Sequence, residues 1–396
     1  MSQPSAIPGL QQSSLSVEPS CHICGCSEIE RICSSKNIEA QIRFLQRFHR
    51  RRLRNPSDAD LADRVQFTQE YLTEVMACRD CGLVSRTPRP PAEAITGAYI
   101  EDRYGPEHLS SEFELQFYWA ESKVRSVAFR LPPQSIKKPL VVEVGSFVGG
   151  FLAAGRKRGW EMLGVDPGKE VTAFCQARGL KVFCGTLSKA PIAAGTVDAV
   201  AIWNTFDQLP NPDPTLTAAK RILSVGGILV IRVPNGSCFR RMVGWHEQFG
   251  GPVKGWLCAA LAWNNLLGFP YVYGYTLRTL DHLLARHGFT RMAACPDTLM
   301  TLTNGESTRW AKWEEKLVKW CGRTAGQVEQ IWDEDKCHFA PWLDIYYRVT
   351  DIIPDTTITV TEFHTGRRES ALSEAYVVQS RVPGKGRSRI DGCTIP

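Results

Sequence analysis

From residue 138 onward, short apolar runs alternate with amphipathic segments. Leu140-Val141-Val142-Glu143-Val144 is an apolar run of the kind buried on both faces of a parallel sheet. Phe151 to Arg158 has helical periodicity and ends at Gly159. Met162 to Val165 reads as a second strand ending at Asp166, and Glu170 to Arg178 as a helix closed by Gly179. Lys181 to Cys184 and Val197 to Trp203 read as the third and fourth strands. Pro214 to Leu223 is a helix before Gly226-Gly227, and Ile228 to Val233 a fifth strand. Leu277 to Arg286 is a helix with Thr276 as N-cap and Gly288 at its end. Such alternation predicts an α/β fold, a doubly wound Rossmann-like sheet.

Other segments flank this region. Residues 106–130 read as a long bridging helix that Pro132-Pro133 ends. Pro341 to Tyr347 reads as a late strand added to the sheet. Trp310, Trp313, Leu317 and Trp320 recur at helical spacing, which makes them core or a dimer face. The organisation is then a disordered leader (1–20), a cysteine-bearing lobe with a basic helical insertion (21–100), and the bridging helix (101–137). The alternating domain (138–300), a C-terminal α+β extension (301–385) and a disordered Gly/Arg/Ser tail (386–396) follow.

Composition narrows the classes. With 43% hydrophobic and 22% charged residues, the 396-residue chain is neither fibrous nor wholly disordered. A net charge of +6 is small for this length and does not argue for nucleic acid. The most apolar stretch, Trp256 to Phe269, is interrupted by Asn264 and Asn265 and is too short to cross a bilayer. The N-terminal segment lacks the basic and apolar regions of a signal peptide, so the 14 Cys are expected as reduced thiols in a cytoplasmic protein. Those from Cys175 onward, such as Cys184 and Cys258, sit singly in apolar runs and read as small buried hydrophobes.

Two motifs carry chemistry. Cys21-x-x-Cys24-Gly25 and Cys78-x-x-Cys81-Gly82 are paired knuckles, and four thiolates suit a tetrahedral Zn²⁺. Gly after the second Cys permits the positive φ of such a turn. The 53-residue gap between Cys24 and Cys78 is long for a zinc finger, and Cys26, Cys33, His22 and His49 are spare ligand candidates. The second motif is the loop Gly145-Ser146-Phe147-Val148-Gly149-Gly150 after the first strand. Asp166 lies 21 residues beyond Gly145, where a carboxylate accepts hydrogen bonds from ribose hydroxyls. Together they point to a nucleoside-containing cofactor. The dinucleotide pattern and the methyltransferase pattern both call for Gly where Phe147 stands, so the loop alone leaves the cofactor open.

The downstream order is more specific: Asn204-Thr205-Phe206-Asp207-Gln208-Leu209-Pro210, then Arg221 to Gly226-Gly227, then Val233-Pro234-Asn235. Over about residues 138–295 the chain resembles the class I S-adenosylmethionine-dependent methyltransferases. Gln208 stands where that family more often has His, and Thr186-Leu187 where an acidic residue is common. The resemblance implies S-adenosylmethionine as cofactor. It places Gly145 and Gly149 against the methionine and ribose, Glu143 near the amino group, and Asp166 at the ribose. Thr186 and Leu187 would flank the adenine, with Asn204 facing the methyl donor. Cys81-Gly82-Leu83-Val84 with the exit Pro88-Arg89-Pro90-Pro91 resembles a subgroup with an N-terminal four-cysteine zinc module, which includes deoxysugar C-methyltransferases acting on nucleotide-linked sugars. That likeness implies a structural zinc at Cys21, Cys24, Cys78 and Cys81. The acceptor would be a small polar metabolite, a sugar or nucleotide-sugar, in a cleft between lobe and cofactor domain.

Residues 236–275 form an insertion where this class builds its substrate lid, and His246 within it is the candidate base. Residues 43–54 contain six Arg around an apolar stripe of Phe44, Leu45, Phe48 and Leu53. They read as the solvated face of a docked helix, or else as an anion site. The expected partners are a small-molecule acceptor, anionic if nucleotide-linked, and a second copy of the chain as a homodimer; neither membrane nor nucleic acid is expected. Two rival functions are an NAD-linked α/β enzyme and a non-catalytic scaffold with a degenerate cofactor domain.

Overall fold

The computed structural model describes residues 20–56, 73–101, 104–132, 138–248, 250–303, 306–333 and 336–349. The leader up to residue 19, the Gly/Arg/Ser tail and the part of the C-terminal extension after residue 349 lie outside these residues. The side chain of His246 lies outside them too.

The alternating region forms one seven-stranded sheet. Its strands are β4 (Leu140–Val144), β5 (Glu161–Asp166), β6 (Val182–Cys184), β7 (Val197–Trp203), β8 (Leu223–Pro234), β10 (Phe289–Asp297) and β11 (Trp342–Val349), in the order β10-β11-β8-β7-β4-β5-β6. β4 to β8 pair in parallel, with Glu143 opposite Gly164 on one side and Ala201 on the other. The late strand joins as expected, but antiparallel, between β8 and β10. The chain builds outward from β4 through β5 to β6, then returns to β7 on the opposite side of β4. This reversal opens a crevice at the carboxyl ends of β4 and β7, where doubly wound sheets bind ligands. Val141, Val142, Val200, Ile202 and Ile231 are fully buried, which accounts for the unbroken apolar runs.

The helices fall close to their expected bounds: α4 (Gly150–Lys157), α5 (Lys169–Ala177), α6 (Asp213–Ile222) and α9 (Leu277–Arg286). Thr276 caps α9 by a reciprocal pair with Thr279. The bridging helix, α3 (Pro106–Arg130), lies against α4. A side chain at Gly150 would meet Cβ of Gln116 at 2.5 Å, so that glycine sets the closeness of the two helices.

The cysteine-bearing lobe is a four-stranded antiparallel sheet of β1 (Ile29–Cys33), β2 (Glu74–Cys78), β3 (Val84–Thr87) and β9 (Tyr273–Gly274). β9 comes from the far end of the insertion after β8, pairing Val84 with Gly274 and Ser85 with Tyr273. That insertion begins with α7 (Gly236–Gln248) and α8 (Gly251–Trp263). The basic segment continues α1 (Ser35–Arg50), whose Leu45 and Phe48 are buried, with Phe48 edge-on to Trp263 at 5.3 Å. α2 (Ala92–Glu101) leads from the lobe toward the bridging helix. No helix among the described residues is long and apolar enough to cross a membrane.

Two expectations are corrected. Cys184 is exposed, because it ends β6 at the sheet edge, and Cys258 is only half-buried on α8. The Trp310, Trp313, Leu317 and Trp320 stripe is not core. It lies on the outer face of α10 (Arg309–Trp332), whose buried face is Ala311, Glu315, Val318 and Gly326.

A buried ionic cluster ties the bridging helix to the far side of the sheet. Arg232 Nη1 donates to Asp297 Oδ2 at 2.7 Å and to Asp344 Oδ1 at 2.5 Å. Lys123 reaches both carboxylates, and Arg323 donates to Asp297 Oδ1 at 2.7 Å. Burial works to raise the pKa of Asp297, but Lys123 and Arg232 outweigh it and hold the carboxyl well below its ordinary range.

Candidate functional site

The turn after β4 is fixed by backbone geometry. Gly145 has φ +71° and donates its N–H to Val165 O at 2.8 Å. A Cβ at Gly145 would overlap the side chain of Thr205. Phe147 adopts φ +45°, a left-handed conformation that a glycine would take without strain. Its N–H donates to Asp166 Oδ2 at 2.8 Å, and its ring lies edge-on to Tyr104 at 5.2 Å.

A cavity of about 380 Å³ opens over this turn. Gly145, Phe147, Asp166, Thr186, Leu187 and Asn204 line it, so five of the residues expected at the cofactor meet there. Tyr99 of α2 and Tyr104 line it from the lobe side. Asp166 also accepts from the Gly168 N–H at 2.9 Å. Burial pushes its carboxyl up to about 6, against the lowering effect of the two N–H donors. Gly149 is absent from the lining. With φ +78° it turns the chain into α4, and a Cβ there would meet Leu180 at 2.6 Å and Cys175 Sγ at 3.0 Å. Its place is a packing turn rather than a ligand contact.

Glu143 sits one step deeper, beside a small pocket of about 10 Å³ lined with Gln116, Trp119, Trp203 and Asn204. Burial, and then the charge of Asp166, hold its carboxyl well above its ordinary pKa. Four buried atoms here make no hydrogen bond: the acceptors Glu143 Oε2 and Asn204 Oδ1, and the donors Gln116 Nε2 and Trp203 Nε1. Unpaired buried polar atoms are costly, and two acceptors beside two donors match an ammonium and a carboxylate. The α-amino and carboxylate groups of a methionine moiety are such a pair, so the residues present fit S-adenosylmethionine. Gln116, from the bridging helix, was not expected from the sequence.

A second cavity, of about 50 Å³, shares Asn204 and Gln208 with the first. Leu267, Phe269, Tyr271, Leu299 and Trp342 line it with Asp207. Asp207 is buried, and burial pushes its carboxyl up to about 7, while its Oδ1 makes no hydrogen bond. Gln208 is held as an amide bridge. It accepts from the Tyr99 hydroxyl at 2.6 Å and donates to Asn204 O at 2.9 Å.

Residues 142–231 match the family model of a methyltransferase domain. Over those residues the chain carries a methyltransferase domain. Among solved structures, it is similar to a S-adenosylmethionine-dependent methyltransferase of Thermotoga maritima at 15% identity and TM-score 0.39, covering 61% of this chain and 94% of that one. Another such enzyme, from Archaeoglobus fulgidus, matches at 15% identity and TM-score 0.37, over 59% and 94% of the two chains. Geranyl diphosphate C-methyltransferase of Streptomyces coelicolor matches at 15% identity and TM-score 0.36, over 63% and 88%. No curated protein matches the chain.

The expected base His246 falls on α7, and its side chain lies outside the described residues. Asp207, which sequence reasoning passed over, is the carboxylic acid among the described residues lining the second cavity. Its signal was its place in the segment after β7, one residue before Gln208. Of the tyrosines in the insertion, Tyr273 donates to Pro210 O at 3.3 Å and Tyr275 packs on Phe206 at 5.3 Å. Both are packing residues.

The four expected thiols converge. Cys21 Sγ lies 3.5 Å from Cys81 Sγ, Cys24 Sγ lies 3.5 Å from Cys78 Sγ, and all four sulfurs fall within 4.8 Å of one another. Four Zn–S bonds of about 2.3 Å in a tetrahedron require sulfurs roughly 3.8 Å apart, which this cluster approaches. Gly25 and Gly82 take φ +73° and +80°, and each N–H closes its knuckle onto the first Cys carbonyl. The spare candidates are occupied elsewhere. His22 stacks on Tyr273, Cys26 accepts the Glu28 N–H, and His49 packs on Phe48 and Trp263.

Proposed function

We propose that this enzyme methylates a small, neutral, hydroxyl-bearing acceptor of sugar-like chemistry held in the second cavity. The observation that carries this reading is the sharing of Asn204 and Gln208 by the two cavities, which puts an acceptor next to the methyl donor. Phe269, Tyr271 and Trp342 offer apolar faces for the C–H side of a ring, while Asp207, Gln208 and Asn204 offer polar groups for its hydroxyls. Among the described lining residues there is no Lys or Arg, so the phosphates of a nucleotide-linked acceptor would sit outside this cavity.

The bound cofactor supplies an electrophilic methyl on a sulfonium sulfur. Asp166 would hold the ribose, and Glu143 with Gln116 the amino acid end. Thr186 and Leu187 would border the adenine. Asp207, as carboxylate, would accept the proton of the acceptor hydroxyl, whose oxygen would be the nucleophile toward that methyl. Holding the two reactants in line supplies much of the rate. In this reading, Cys21, Cys24, Cys78 and Cys81 bind a structural Zn²⁺ with no open position for water. The scaffold alternative is not favoured, since a cavity of about 380 Å³ opens where the cofactor is expected and unpaired buried polar atoms lie in the small pocket that shares Gly145 and Asn204 with it.

Calorimetric titration with S-adenosylhomocysteine, with NAD as control, tests the cofactor. Micromolar binding of the former alone is expected. A methyl-transfer screen of neutral sugars against nucleotide-sugars tests the acceptor, with Asp207→Asn expected to lower turnover by about 100-fold. Unchanged turnover in that variant would remove Asp207 as the base.

A further inference from the structure

Two sequence features play no part in methyl transfer: the Trp-rich helix and the Arg-rich segment. The fold brings them together. Arg52 donates twice to Glu314 of α10, at 2.7 Å each, and lies over the ring of Trp310 at 4.8 Å. Leu53 bridges to Ser307 just before α10.

α10 has two apolar faces. One is packed through Ala311, Val318 and Gly326. On the other, at successive spacings of four, three and eleven residues, Trp313, Leu317, Trp320 and Ile331 face outward; Trp313 is 66%, Trp320 65% and Ile331 80% exposed. Along one edge of this outer stripe run Arg309, Lys312 and Lys316. The acidic residues of the same helix turn are engaged inward. Glu314 accepts from Arg52 and Trp263, and Glu315 is buried against Lys319. The neighbouring segment adds the exposed Arg43, Arg47, Arg51 and Arg54. The outward charge of this surface is therefore positive, and its centre is aromatic and aliphatic.

We propose that this face of α10, with the adjoining end of α1, docks on an anionic lipid bilayer. Trp side chains favour the headgroup level, and a helix with an apolar stripe and a basic flank lies in the plane of the membrane. Charge complementarity selects this occupant. A second copy of the chain would set one basic edge against another, which is repulsive. A nucleic acid would use the arginines but gain nothing from Leu317 and Ile331. The helix is not apolar enough to span the bilayer, so it rests on the surface.

The test is flotation of the full-length, zinc-loaded protein with vesicles of phosphatidylcholine alone and of phosphatidylcholine with phosphatidylglycerol. Binding to the anionic vesicles, release by salt, and a blue shift of Trp fluorescence are expected. Trp313→Ser with Trp320→Ser should weaken binding roughly tenfold or more, and Lys312→Glu with Lys316→Glu should do the same at low salt. Trp313, Lys316 and Trp320 are exposed and Lys312 is half-exposed, so circular dichroism should be unchanged in both variants. Failure to bind anionic vesicles, or binding that neither variant weakens, overturns the proposal. So does a dimer that the Trp variant dissociates, or RNA binding in place of vesicle binding.

Discussion

Phe147 donates its backbone N–H to the carboxylate of Asp166 at 2.8 Å, so the residue that breaks the glycine pattern is bonded to the residue that completes it. The bond holds Phe147 at φ +45°, where a side chain is normally strained. Asp166 thus orients the loop as well as facing the cavity. Asp166→Ala should weaken S-adenosylhomocysteine binding at least tenfold, through the lost ribose contact and the loosened turn. Metal content should not change, because the four thiols sit at the end of β2 and in turns beside the four-stranded sheet, not in the sheet that carries Asp166. Calorimetry and metal analysis on one sample check both. Unaltered affinity would mean the cavity is read wrongly.

The same carboxylate predicts a pH dependence. Burial raises Asp166 from the ordinary range to about 6. Only the carboxylate accepts from two ribose hydroxyls, so the cofactor must select the deprotonated form. Affinity for S-adenosylhomocysteine should be level above pH 6 and fall roughly tenfold per pH unit below it. In the apo protein the sign is opposite. The raised pKa means that folding stability is highest where Asp166 is protonated and declines as pH rises from about 4 to about 6. Asp166→Asn should flatten both curves.

The buried ionic cluster behaves in the reverse sense. Asp297 is held well below its ordinary pKa by Lys123 and Arg232, so its contribution is present above the unfolded pKa of about 4 and is lost as pH falls below it. Asp344→Asn leaves Lys123 and Arg232 sharing one buried carboxylate. The expected loss is about 3–5 kcal/mol in denaturant unfolding at neutral pH. A loss under about 1 kcal/mol would show that the cluster relaxes around the change.

Much of the fold was legible because the parallel strands are buried on both faces and therefore read as unbroken apolar runs. Leu140–Val144 and Val197–Trp203 were placed to the residue for that reason. The carboxyl-end residues Asp166 and Asn204 followed from strand ends. What the sequence hid depends on long-range packing. Gln116 on the bridging helix reaches the small pocket beside Glu143 only because Gly150 lets two helices approach. β9 adds to the cysteine sheet across nearly 200 positions of chain, with no local signal in two residues. Gly149 matched a glycine pattern yet serves packing, since a motif records backbone freedom and not what lies beyond it. The Trp stripe was left as core or a dimer face because periodicity gives a face but not its direction.

Removal of the proposed zinc offers the sharpest test of how the lobe serves the site. The thiol cluster closes the turn from β2 into β3, and β3 pairs with β9 through Val84 and Gly274. Beyond β9 the chain runs directly into Thr276, whose hydroxyl reaches Cys81 O at 3.5 Å. Just before β9 lie Phe269 and Tyr271 of the second cavity. Loss of the metal should therefore loosen the acceptor wall first, while β4, β5 and β7, which carry the cofactor loop, stay paired. Cys78→Ser, or chelation, should release the metal and lower thermal stability by several degrees. Acceptor KM should rise more than S-adenosylhomocysteine affinity falls. Equal loss of both would mean that the lobe supports the whole fold rather than the acceptor wall. Full metal retention in Cys78→Ser would remove that thiol from the ligand set.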